Sequence, residues 1–192
     1  MASVRQTSGD PAQALSGLAK IKGPPPVHLW DPPFCGEIDM RIAADGVWYY
    51  MNSPIGRKPL VDLFASILRK DEDGRTYLVT PVEKCAIRVD DAPLLAVHMT
   101  VEGTGRDQTI SFETLTGDQV QAEAAHPLRF AEEPGTGGLK PYVLVRGRIE
   151  ALVARAIFYD LVAAGCVEND WYGVWSGGRF WPMQRAAEIG IV

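Results

Sequence analysis

Arg57-Lys58-Pro59 and Arg146-Gly147-Arg148 are the residues whose types and spacing best suit chemistry, and the chemistry they suit is anion binding. Each lies in a Gly-Arg run followed shortly by Leu-Val: Gly56-Arg57-Lys58-Pro59-Leu60-Val61 and Gly147-Arg148-Ile149-Glu150-Ala151-Leu152-Val153. Both runs read as helix starts. A helix N-terminus carries roughly half a positive charge, so a cation there costs a few tenths of a kcal/mol unless an anion answers it. Guanidinium and ammonium groups beside backbone N–H donors form a set that holds phosphate or carboxylate. Lys84 and Lys140 are placed to assist, and Tyr142 or a tryptophan to stack on an attached ring. The competing reading sends these long side chains to surface Asp and Glu partners, which costs little.

Other chemistries find less support. His28, His98 and His126 stand singly, without the i, i+4 spacing that puts two imidazoles on one helical face, so no metal site is expected. Cys35, Cys85 and Cys166 are odd in number and far apart, unlike a disulfide framework or a zinc site, and read as buried, reduced thiols. Ser176-Gly177-Gly178 lacks a strand-nucleophile-helix elbow, and Cys35 has no identifiable base. Gly135-Thr136-Gly137-Gly138 precedes a strand where a phosphate loop precedes a helix, although Lys140 remains within reach of a phosphate. No catalytic residue and no cofactor follow from these patterns.

The composition sets the bounds. With 192 residues, 46% hydrophobic and 22% charged, the chain has the make-up of folded globular domains. A net charge of -5 argues against broad attraction to duplex nucleic acid or an anionic membrane, since both require a basic face. No apolar run reaches about 18 residues, and the polar start has no signal-peptide core, so a cytoplasmic protein is expected.

The elements that must position the cations follow from periodicity. Asp10-Pro11-Ala12-Gln13 predicts a short helix to about Lys20, and Lys22-Gly23-Pro24-Pro25-Pro26 stops it. Residues 1–26 are therefore helix and linker. Ile38, Met40 and Ile42 alternate with Asp39 and Arg41 ahead of an Asp45-Gly46 turn, which predicts a β-hairpin. Leu60, Val61, Leu63, Phe64, Ile67 and Leu68 form a helical stripe, and strands follow at 76–80 and 85–89.

A boundary near Asp90 separates a domain at 27–90 from one at 91–192. The second begins with period-2 segments at 94–102, 108–115, 119–123 and 128–131, then a buried strand at Tyr142-Val143-Leu144-Val145. Ile149, Leu152, Val153, Ala156, Ile157, Leu161 and Ala164 form a second helical stripe that Gly165 caps. Asp160 falls on that stripe and calls for a partner, Arg155 or Arg146. A hairpin turning at Gly177-Gly178 closes the chain, and the tryptophans and tyrosines read chiefly as core.

Several separated motifs, in order, resemble one bacterial family. They are His28-Leu29-Trp30-Asp31-Pro32-Pro33-Phe34-Cys35-Gly36-Glu37-Ile38, Asp45-Gly46-Val47-Trp48-Tyr49-Tyr50, Ser53-Pro54-Ile55-Gly56-Arg57, Leu78-Val79-Thr80-Pro81-Val82-Glu83-Lys84 and Pro141-Tyr142-Val143-Leu144-Val145-Arg146. Over about 27–183 the chain is similar to domain-of-unknown-function family 1285. The resemblance implies a domain duplication, a C-terminal half superficially like pleckstrin-homology folds, and a nucleotide-like ligand between the halves with a part in signal transduction. It carries no catalytic residues.

The expectation is therefore an α+β protein of two related small domains, antiparallel sheets each packed with one long helix. Its expected role is that of a non-enzymatic sensor or adaptor for a small anionic, nucleotide-like ligand held between the domains by Arg57, Lys58, Lys84, Lys140, Tyr142, Arg146 and Arg148. The alternative is a protein-interaction module that docks a partner chain and takes no small molecule.

Overall fold

In the computed structural model, which describes residues 25–133 and 135–190, the alternation around Met40 forms strand β1 (Phe34–Ile42). Met40 and Ile42 are buried, while Asp39 and Arg41 turn to the other face. The helix expected over 10–20 lies outside the described residues. The chain divides into two units, Met1–Asp90 and Asp91–Val192.

In the first unit β1 is followed by β2 (Trp48–Tyr50), β3 (Ser53–Pro54), helix α1 (Lys58–Ser66), β4 (Leu68–Lys70), β5 (Thr76–Val79) and β6 (Lys84–Val89). The sheet order is β3-β2-β1-β6-β5-β4. Every junction is antiparallel except the central one, where β1 and β6 run parallel. Helix α1 packs on this sheet through Phe64, whose ring stacks on Trp48 at 6.2 Å between centroids. The helix is shorter than its apolar stripe. It ends at Ser66, and Ile67 and Leu68 stay buried while the chain turns into β4.

The second unit contains β7 (Leu94–Glu102), β8 (Thr109–Thr114), β9 (Gln119–Gln121), β10 (Leu128–Glu132), β11 (Leu139–Arg146), β12 (Ile149–Val153), helix α2 (Arg155–Ala163), β13 (Cys166–Glu168), β14 (Trp171–Ser176) and β15 (Arg179–Arg185). Its large sheet has the order β10-β11-β12-β7-β8-β9, with β12 and β7 parallel at the centre. Strands β13, β14 and β15 form a separate antiparallel sheet. Of the four period-2 segments, the first three form an antiparallel meander, β7-β8-β9, whereas β10 pairs with β11 at the far edge of the sheet; the closing hairpin is present. Gly177 and Gly178 have φ of +60° and +70°, the conformation a two-residue hairpin turn of this hand requires.

The second Gly-Arg run does not start a helix. Gly147, at φ +52°, and Arg148 form the turn between β11 and β12, and Ile149–Val153 is a strand. Its burial alternates, with Ile149, Ala151 and Val153 inside and Glu150 and Leu152 half-buried, the period of two that a sheet imposes. Helix α2 begins only at Arg155, and each helix has nine residues. Asp160 consequently lies on the exposed side of α2 and carries no burial to compensate. A helix continuous from Ile149 would turn it inward; the strand at 149–153 removes that constraint.

Duplication holds, but on different grounds. Each unit contains two three-stranded antiparallel meanders whose first and last strands meet in parallel, giving one topology twice. The helices do not correspond: α1 joins the two meanders, whereas α2 follows the second. The sheets are thus mixed where wholly antiparallel ones were expected, and the α+β class stands.

Two polar side chains hold the second unit's small sheet to its large one. Ser176, fully buried, accepts the Ile110 N–H at 2.9 Å and donates to the Ala122 carbonyl at 2.6 Å. Buried Gln108 donates to the carbonyls of Trp175 at 2.9 Å and Ala164 at 3.3 Å. The three thiols are free but are not all buried: Cys35 is exposed, and Cys85 and Cys166 are half-buried.

Candidate functional site

A concavity that combines charge with aromatic surface lies in the second unit, at the start of α2. The residue before α2, Ala154, has no side-chain acceptor to cap the helix. Arg155, Phe158 and Tyr159 are spaced i, i+3, i+4 and so share one helical face. Lining the cavity with them are Leu139, Lys140 and Pro141 of β11, Glu133, Thr136 and Gly138, and Leu152 and Val153 of β12. The cavity has a volume of about 530 Å³, within the range of small-molecule sites.

Its charges form a chain. Lys140 Nζ donates to Asp91 Oδ2 at 2.9 Å and lies 3.4 Å from Glu133 Oε1. Tyr142 donates its hydroxyl to Asp91 Oδ1 at 2.8 Å, and Thr136 donates to Glu133 Oε2 at 2.8 Å. Arg129 makes a bidentate pair with Glu150 at 2.9 and 2.8 Å and sits 4.2 Å above the Tyr142 ring. The Asp91 bond raises the Lys140 pKa against the opposing effect of burial. Burial, and then the Asp91 carboxylate, push the Tyr142 phenol up to about 12. Hydrogen bonds from Thr136 and Lys140 lower the Glu133 carboxyl, and a hydrogen bond to Tyr159 raises the Arg155 guanidinium. At neutral pH the cavity thus presents two cations, Lys140 and Arg155, and one lining carboxylate, Glu133.

The sequence-selected residues divide sharply. Lys140 lines this cavity and Tyr142 adjoins it through Asp91. Arg146 is at the other end of β11, roughly 20 Å away along the strand, bonded to Asp118, and Arg148 is exposed on the turn beyond. In the first unit Arg57 is the residue before α1 and exposed, while Lys58 pairs with Asp62 of the next turn at 2.8 Å. Lys84 bonds Asp71 at 3.1 Å and lies 4.7 Å from the Tyr77 ring centre. Of the two expected helix starts, the one at Arg57 is therefore present and the one at Arg148 is not.

Arg155, Phe158, Tyr159, Glu133 and Asp91 were missed as site residues. A signal is present for one of them: with the helix started at 155, Arg155 is the helix-start cation of this unit in place of Arg148. Asp91 carries no local signal, because its meeting with Lys140 and Tyr142 comes from sheet geometry.

A shallower groove of about 280 Å³ runs across β7, β8 and β9, lined by His98, Thr100, Ser111, Glu113, Gln119 and Gln121 among others. Among the described residues no cluster of three or more His, Cys, Asp or Glu side chains is placed to hold a metal, and no helix is long and apolar enough to cross a membrane.

Residues 25–92 match the model of "Domain of unknown function (DUF1285), N-terminal domain", and residues 93–183 that of "Protein of unknown function (DUF1285), C-terminal domain". The chain is similar to the crystal structure of a DUF1285 family protein from Silicibacter pomeroyi DSS-3, with 50% identity and a TM-score of 0.86, over 92% of this chain and 97% of that one. It is also similar to a DUF1285 family protein from Shewanella baltica OS155, with 25% identity and a TM-score of 0.52, over 65% of this chain and 91% of that one. No curated protein matches it.

Proposed function

The chain belongs to the DUF1285 family, and from that premise we propose that its second unit is a binding module for a small anionic ligand with a planar or apolar part, of the kind a nucleotide presents. The observation that carries this reading is the convergence of Lys140, Arg155, Phe158 and Tyr159 on one cavity of about 530 Å³. The cations receive the anion, and the helix N-terminus adds to their field. The exposed Tyr159 ring and Phe158 receive the planar part. Glu133 holds the cationic side of the cavity until the ligand's own charge takes its place. The module acts by binding, as a sensor or adaptor, and needs no cofactor.

A thermal-shift series with nucleoside mono- and diphosphates and phosphorylated sugars tests this. A ligand at 100 times its Kd adds about 2.7 kcal/mol and raises the midpoint of a domain of this size by several degrees. At least one compound should do so in the wild type and lose most of its effect in Arg155→Ala. No shift across the series would sink the reading.

A second reading, a docking module for a partner chain, draws on exposed apolar side chains of the first unit: Leu29, Phe34 and Val82, at 72%, 54% and 70% exposure. It is the weaker, because single exposed apolar residues are ordinary on protein surfaces.

A further inference from the structure

Two thiols of the first unit are brought together by the parallel junction at the centre of its sheet. Phe34 of β1 pairs with Lys84 of β6. Both side chains lie on the face of Tyr77: the Phe34 ring meets it edge-on at 6.1 Å, and Lys84 Nζ is 4.7 Å from its centre. Between this pair and the next, Glu37 with Ala86, the register shifts so that Cys35 and Gly36 of β1 together oppose the single residue Cys85 of β6, and the Cys35 sulfur is near enough to act on the Cys85 thiol. Neighbouring strands are about 4.8 Å apart, and a disulfide needs Cα atoms roughly 4.4–6.8 Å apart. The register shift that follows Phe34, with Gly36 at φ +104°, leaves the backbone of Cys35 room to adjust.

We propose that Cys35 and Cys85 form a peroxide-reactive pair that closes to a disulfide across β1 and β6. The two thiols have unequal parts. Cys35 is exposed, its sulfur donating to the Pro33 carbonyl at 3.4 Å, and it meets the oxidant. Burial pushes the Cys85 thiol up to about 11, with Glu83 and the Cys35 sulfur adding to the rise, so Cys85 stays protonated and waits.

The Cys35 sulfur attacks one oxygen of hydrogen peroxide, the O–O bond breaks, and a sulfenic acid and water form. The Cys85 sulfur then attacks the Cys35 sulfur as its proton leaves, the S–O bond breaks, and a second water departs. In sum, two thiols and one peroxide give one disulfide and two waters.

The test is peptide mapping of the full chain after mild peroxide treatment, with free thiols alkylated before digestion. The expected product is one cross-linked peptide pair containing Cys35 and Cys85, two hydrogens lighter than the sum of its parts, which dithiothreitol separates. In Cys85→Ser the Cys35 sulfenic acid should instead accumulate and be trapped by dimedone. The proposal is overturned if Cys85 remains alkylatable while Cys35 goes on to sulfinic acid or joins a second chain. It is equally overturned if neither thiol reacts.

Discussion

Asp71 carries two cations on one carboxylate: Arg69 at 2.6 Å and Lys84 at 3.1 Å. Arg69 in turn donates to the carbonyls of Val27 and Trp30, which fastens the start of the first unit to β4. Burial, the largest single influence, raises the Asp71 pKa, but the hydrogen bonds and charges of Arg69 and Lys84 together outweigh it and hold the carboxyl below its ordinary value. A depressed folded pKa gives stability that is complete above the unfolded pKa and lost as pH falls through the folded one. Asp71→Asn should therefore lower the urea midpoint at neutral pH and flatten its decline on the acid side of the unfolded carboxylate pKa. Equal acid slopes in the two proteins would refute this account of Asp71. At this scale the sequence exposed the cations but not their partners. Lys58 and Asp62 are one helical turn apart and so legible, whereas Lys84 finds Asp71, and Lys140 finds Asp91, only through strand register.

Strand β12 shows how an element is misread. Ile149, Leu152, Val153, Ala156 and Ile157 satisfy a helical stripe, yet Ile149, Ala151 and Val153 satisfy a strand equally well. The choice is made by pairing: β12 has β11 on one side and β7 on the other, and backbone groups between two strands are satisfied only in extended form. Gly147 belongs to the turn that makes this pairing, and Gly165 to a close approach, since a Cβ there would meet the Tyr172 ring at 2.7 Å. By contrast, β1, β8 and the β14–β15 hairpin were legible, because period-2 burial and two-residue turns are local signals. The attachment of the small sheet is an element-scale feature with a testable cost. Ser176→Ala leaves the Ile110 N–H and the Ala122 carbonyl without their buried partner, and a denaturant titration should show a loss of about 1–3 kcal/mol. An unchanged midpoint would mean that the serine bonds are not what secures β14.

Across the molecule, one topology used twice carries a helix at two different places, and that difference decides where a cavity forms. In the second unit α2 follows directly on β12, so Arg155 of its first turn lines one cavity with Lys140 of β11 and with Glu133, Thr136 and Gly138. In the first unit α1 links the two meanders, and its starting cations Arg57 and Lys58 lie exposed. The duplication was legible in the sequence, but the equivalence of the two Gly-Arg runs was not part of it. With a net charge of -5, any attraction of an anion has to come from such local arrangements. The binding proposed for the α2 cavity rests on Arg155 and Lys140. Its most direct measurement is a calorimetric titration of the nucleotide giving the largest thermal shift into wild type, Arg155→Glu and, as a control, Arg148→Glu. Binding should fall at least tenfold in Arg155→Glu and be retained in Arg148→Glu, whereas equal affinity in wild type and Arg155→Glu would contradict the claim.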